Sequence, residues 1–234
     1  AAHVIILVFS KDLGSAVIFF AGYLIMVFIA TKNYFYLFAG ILGGAGASIV
    51  AYHMFSHVRT RVIAFLHPWS NINDSGYQIT QSLFAIGTGG WFGLGIDQGD
   101  PTSIPYVEQD FIFSAVAEEM GVIFGICLIL VCVSCFIVFM KIAMQLKEEF
   151  YRYIAVGLST IYIFQVFLTI GGGTRFIPLT GVTLPLVSYG GSSVLTTIIM
   201  FSIIQGLYCI QSQEGKRNVR KERRRTADRE AGEE

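Results

Sequence analysis

Five stretches of this chain are apolar all round rather than along one stripe: Leu13–Thr31, Tyr34–His53, Phe111–Met140, Tyr153–Gly172 and Leu186–Ile210. A helix needs roughly 20 mainly apolar residues to cross the hydrocarbon of a bilayer, so each is predicted to span a membrane. Ala1–Ser10 is also apolar but too short to cross. It has no Met, no basic n-region and no cleavage site, so it is not a signal peptide. It reads as the end of a helix that begins upstream, and the chain as a fragment.

Two segments break this pattern. Met54–Asp110 is a long connection without the Ser, Pro and charge of a linker; it alternates apolar residues with glycine, as in Gln81–Gly95. Within it Val62–Leu66 and Gln78–Ile86 are predicted to be short helices in the membrane interface, with Trp69 and Trp91 as headgroup-level anchors. Long structured loops of this kind usually carry function. Pro178–Ser193 holds two prolines and three glycines in sixteen residues, which no continuous helix accommodates. It is predicted to be a broken, re-entrant element before the last helix, buried in protein or lining a wet cavity. The fold class is therefore an all-α polytopic membrane protein, with a membrane-embedded part over 1–210 and a tail over 211–234.

Composition strengthens this reading. The 234 residues include 16 Lys+Arg and 16 Asp+Glu, and 54% are apolar. Eight of the basic and six of the acidic residues lie in the tail, leaving 18 charges in the first 210 residues. Soluble domains carry about a quarter charged residues, so too few remain here to cover a soluble surface. The zero net charge is segregated, and the one basic block is a short Lys/Arg/Glu tail, which excludes nucleic acid as a partner and suits anionic lipid headgroups.

Cytoplasmic connections collect Lys and Arg. Met140–Arg152, Lys32 and the tail hold twelve of the sixteen, against Lys11, Arg59, Arg61 and Arg175 on the other side. The C-terminus is therefore expected in the cytoplasm, and the 54–110 loop outside, in a bacterial plasma membrane.

Gly87–Gly95 resembles a phosphate-cradling loop but lacks the spacing, the following Lys and the preceding strand; its glycines suit tight turns and close approach. Cys132 and Cys135 lie in an apolar run with no second pair, which favours plain packing. His53 and His57 stand one turn apart with no Glu at a usable offset, so a zinc site is not expected. Asp110, preceded by Glu108 and Gln109, stands at the outer mouth of the third span. Helix capping explains an Asp there as readily as chemistry does. Glu118 and Glu119 are costly two turns into a membrane helix and are expected to face a cavity or partner.

Five stretches, in order, carry a family resemblance. They are Asp12–Ala16, Arg61–Trp69, Gly76–Ser82, Asp110–Phe113 followed by Glu118-Glu119-Met-Gly121, and above all Pro178–Ser193 with its Ser188-Tyr-Gly-Gly-Ser-Ser193 core. Together they resemble the SEDS family (shape, elongation, division and sporulation; the FtsW, RodA and SpoVE group) over about residues 10–210. The resemblance implies a ten-helix protein of which this chain holds about six helices. The implied activity is polymerisation of lipid II into peptidoglycan strands, with release of polyprenyl diphosphate, during division or elongation. Implied partners are a class B penicillin-binding protein and other division or elongation proteins. Asp110 occupies the position of the family's proposed catalytic Asp, though Gln109 stands where the family commonly has Thr. A missing Pro-Ser-Glu…Lys element would leave the site incomplete.

An acceptor hydroxyl must lose a proton as it attacks, which a positioned carboxylate can take. The leaving pyrophosphate needs Arg, Lys or a divalent cation such as Mg or Mn. The candidate binding residues are Arg61, Arg175, Arg59, Lys11, Gln81, Ser188 and Ser192, with Glu108, Glu118 and Glu119 in support. A lipid II flippase or a non-catalytic scaffold of the division or elongation machinery are the alternatives, since charged cavities and broken helices suit transporters too.

Overall fold

A computed structural model describes residues 12–72 and 74–230, with side chains to Gln213. Lys11 and the Ala1–Ser10 stretch lie outside the described residues. Among the described residues seven α-helices form: α1 (Leu13–Thr31), α2 (Tyr34–Met54), α3 (Ser56–Leu66), α4 (Tyr77–Gly89), α5 (Ile112–Gln145), α6 (Glu149–Gly173) and α7 (Gly191–Glu230). Five are long and apolar enough to cross a membrane: α1, α2, α5, α6 and α7 over Gly191–Gln213. No strand occurs among the described residues.

α6 is the centre. Twelve of its residues are buried, against none in α2. Small residues let α1 come close: a side chain at Gly22 would stand 3.4 Å from Ile161, and one at Gly157 would be 2.7 Å from the Met26 sulfur. On a neighbouring face α5 and α7 close over α6 through Phe139, Tyr162 and Phe201, whose rings pack edge to face with centroids 4.9–5.8 Å apart. Edge-to-face contact suits the ring quadrupoles.

The third span is not one straight helix. Gly121 takes φ 85°, ψ 168° inside α5, a conformation natural only to glycine. The Gly-rich loop after α4 enters this break. Leu94 and Gly95 donate their N–H groups to the Glu118 and Glu119 carbonyls, both at 2.9 Å, while Val122 and Ile123 donate to Gly90 and Trp91 at 2.9 and 3.3 Å. The loop thus satisfies the backbone groups that the interrupted helix leaves open. Side chains at Gly89, Gly93 or Gly121 would collide with the facing backbone. The 20 residues from Gly121 to Met140 span about 30 Å, one hydrocarbon thickness. Glu118 and Glu119 thus close the helical stretch that starts at Ile112, just before the break.

The last span also starts later than its apolar run. Leu184–Ser188 is a turn closed by Val187 and Ser188 N–H bonds to the Leu184 carbonyl, with Leu186 at φ 62°. Helix α7 begins at Gly191, and the expected interruption before it is present.

Candidate active site

Asp110 ends a chain of turns running from Pro101. Gln109 donates to the Tyr106 carbonyl at 2.9 Å, and Phe111, 0% exposed, anchors the turn in a small core with Ala85 and Ile104. The broken element clamps the same turn from the far side. Tyr189 N–H donates to the Glu108 carbonyl at 2.7 Å. The Ser188 hydroxyl donates to the Gln109 carbonyl and accepts the Leu184 N–H at 2.7 Å. Asp110 is therefore positioned by backbone pinned at both residues before it. Helix α5 takes Phe111 as its N-cap, with no side-chain cap bond, so capping is not what the Asp110 carboxylate does.

Its side chain borders a cleft of about 370 Å³ with Thr60, Arg61, Asp74, Gln78, Tyr106 and Leu179. Arg61, on α3, donates through Nη1 to the carbonyls of Thr180 at 2.8 Å and Leu179 at 3.3 Å. Gly181, at φ 74°, keeps the space between the two charges open: a side chain there would meet Arg61 Nη2 at 3.4 Å and Asp110 Oδ2 at 4.0 Å. Burial pushes the Asp110 carboxyl above its ordinary value of 3.8; its backbone N–H and Arg61 oppose the rise, and Glu108 adds to it. A carboxylate held this way is a better base than a free one.

A second cavity, about 490 Å³, lies across the Gln109–Gly181 wall between α1, α6 and α7. Ser192 lines it with Asp12, Gln165, Thr183 and Tyr189. Its wall is held by Gln165 donating to the Thr183 carbonyl at 3.0 Å, Thr169 to the Val182 carbonyl at 2.9 Å, and a Thr183–Ser193 hydroxyl pair at 2.7 Å.

The remaining predicted residues lie elsewhere. Arg59 bends back to α2, 3.4 Å from the His53 carbonyl and over the Tyr52 ring. Arg175 donates to the Phe65 and Leu66 carbonyls at the end of α3, at 3.0 and 3.4 Å. Glu118, 7% exposed, accepts the Asp100 N–H at 3.3 Å, and Glu119 the Asp97 N–H at 3.2 Å; both fasten the 97–100 loop. Glu108 is exposed beside Asp110, and Gln81 is half-buried on α4. Among the described residues no three His, Cys, Asp or Glu converge as metal ligands.

Several residues here escaped the sequence reading. Ser82 donates to the Gly173 carbonyl at 2.7 Å, so the 2.6 Å contact from Ser114 must be a donation to Ser82. This buried chain ties α4, α5 and α6 together under the site. Ser82 closes the matched stretch Gly76–Ser82 and Ser114 directly follows Asp110–Phe113, so both are polar residues on apolar segments that the sequence already singles out. Asp12 was noticed only as part of a motif; it caps α1 through the Ser15 N–H at 3.0 Å while lining the second cavity. Tyr106 and Asp74 carried no local signal.

The FtsW/RodA/SpoVE family model, described as cell cycle protein, matches residues 1–213. Over 200 residues the chain is 40% identical to the peptidoglycan glycosyltransferase RodA of Mycobacterium tuberculosis, covering 85% of this chain and 42% of that one. It is 38% identical over 210 residues to the probable peptidoglycan glycosyltransferase FtsW of Francisella salina, covering 86% and 51%. Against stage V sporulation protein E of Bacillus subtilis the identity is 34% over 199 residues, covering 84% and 54%. The chain thus spans about half the length of these relatives, or somewhat less. A solved structure on the coordination of polymerization and crosslinking by a peptidoglycan synthase complex superposes with a TM-score of 0.74 at 25% identity, over 88% of this chain and 58% of that one.

Proposed function

Because this chain belongs to the FtsW, RodA and SpoVE family of cell cycle proteins, we propose that it carries the reaction centre of a peptidoglycan glycosyltransferase that polymerises lipid II. The supporting observation is the pairing of Asp110 and Arg61 across side-chain-free Gly181, in one cleft at the mouth of a membrane span. In this reading an acceptor sugar hydroxyl attacks the donor's anomeric carbon. The new glycosidic C–O bond forms as the bond to pyrophosphate breaks, and the hydroxyl proton passes to the Asp110 carboxylate. Polyprenyl diphosphate leaves with the bonding electrons, and Arg61 meets its charge. Arg175 and Ser188 act as positioning residues, one on the end of α3 and the other on the turn that presents Asp110.

The protein is a multi-pass membrane protein. The segregation of Lys and Arg supports a bacterial plasma membrane orientation with the C-terminus inside. The likeness to a complex that couples polymerization with crosslinking supports a transpeptidase partner, a class B penicillin-binding protein. Its membrane helix would pack on the exposed apolar faces of α5 or α6, such as Ile123, Phe124 and Phe167.

The test is the full-length protein on purified lipid II, with and without the transpeptidase. Glycan strands and released polyprenyl diphosphate are expected. Movement of lipid II across vesicles without any polymer would put a flippase in place of this reading, and binding of the transpeptidase with neither would put a scaffold there.

A further inference from the structure

The cleft beside Asp110 has one feature that neither base nor cation explains. Tyr106 stands in its wall at φ 59°, a left-handed conformation that suits Gly or Asn and strains a bulky residue. The strain is imposed from both sides. The Tyr106 carbonyl accepts the Gln109 N–H at 2.9 Å, and Gln78 on α4 reaches the adjacent Pro105 carbonyl at 3.4 Å. The outcome is a ring left 64% exposed, although Ile104 and Phe111 close by are 1% and 0% exposed. Facing walls of the same cleft bring Thr60, Asp74, Ser75 and Gln78.

We propose that this cleft is a subsite for the acceptor sugar, with Tyr106 as the platform under the ring and Asp74 and Gln78 orienting its hydroxyls. An N-acetylhexosamine ring presents a C–H face, which stacks on an aromatic, and a rim of hydroxyl and amide groups, which carboxylates and amides bind. Other ligand classes fit the walls worse. Asp74 and Asp110 repel a phosphate from this side, leaving it to Arg61, and Asp74, Gln78 and Asp110 interrupt the apolar wall of Ala64, Ile79 and Leu179 with groups that an acyl chain would leave without hydrogen bonds. Asp110 lies in the same cleft, so the sugar held there is the one whose hydroxyl gives up its proton. This assignment rests on the glycosyltransferase reading.

Two measurements in the full-length protein test it. For lipid II polymerisation the readout is the split between KM and kcat. Tyr106→Gly, which accepts the left-handed backbone without strain, should raise KM about tenfold with kcat changed far less, as for a lost aromatic contact. A ring needed only for folding would lower the yield of Tyr106→Gly and leave KM alone, which would overturn the subsite. Independently of turnover, 3-fluorotyrosine placed at 106 should show a saturable 19F shift with a soluble N-acetylhexosamine disaccharide, weakened several-fold in Asp74→Asn. No shift would overturn the subsite. A shift in a preparation that never makes glycan strands would uphold the subsite and remove the polymerase reading, whereas strands made by Tyr106→Gly at wild-type KM would do the reverse.

Discussion

Asp110 and the Glu118–Glu119 pair lie within ten residues of each other at the N-terminal end of the same helix, yet they do different work. The two glutamates accept backbone N–H groups from Asp100 and Asp97 and hold a loop in place. Asp110 is fixed through the carbonyls of its two preceding residues, so its side chain remains free to face a cleft and a guanidinium. A carboxylate tied to a backbone donor is occupied in holding structure, while one raised by burial and open to solvent or substrate is available as a base. Position near a membrane boundary does not by itself distinguish the two uses; the hydrogen-bond partners do.

The sharpest way to break this comparison is to neutralise each side. Asp110→Asn should lower the polymerisation rate by about two to four orders of magnitude, the usual worth of a positioned base. Glu119→Gln, which keeps an acceptor oxygen for the Asp97 N–H, should stay within a few-fold of wild type. Comparable losses in both would erase the distinction.

Next in size is Arg61→Gln, expected to lower the rate by about two orders of magnitude through the leaving group, with Lys restoring only part because it lacks the fork that also holds Leu179 and Thr180. Gly181→Ala follows. Its methyl group would sit against Arg61 and the backbone would stay left-handed, so a thermal melt in detergent should show a stability loss of about 1–2 kcal/mol, with impaired polymerisation beside it. The smallest effect is assigned to Arg175→Gln. It removes charged donors from the end of α3 and should cost about 1–2 kcal/mol in the same melt, with turnover changed only modestly.

The spans were legible because hydrocarbon thickness imposes a length that any sequence must show. The break in α5 was not. Gly121 follows Glu118-Glu119-Met120 at the start of a long apolar run, and glycine is ordinary in membrane helices. Only the loop from Gly90 to Gly95, inserted from some thirty residues away, reveals that the helix is interrupted there. Similarly, Arg61 and Arg175 looked alike as extracytoplasmic arginines beside matched stretches. Their partners lie more than a hundred residues distant, at Thr180 for one and Phe65 for the other, and no local pattern tells them apart. Asp110 itself was legible through its stretch, but Ser188 and Tyr189, which hold its turn, act across a separation in sequence that only the fold closes.

The central claim is that Asp110 accepts the proton, and the pH dependence of kcat/KM for lipid II tests it most directly. Because burial raises the Asp110 carboxyl above 3.8, its basic form is lost as the pH falls through that raised value. Wild-type full-length protein should therefore show an acid limb with an apparent pKa above 3.8, and the residual activity of Asp110→Asn should lack it. The same acid limb in Asp110→Asn, or a wild-type rate independent of pH down to about 4, would contradict the assignment.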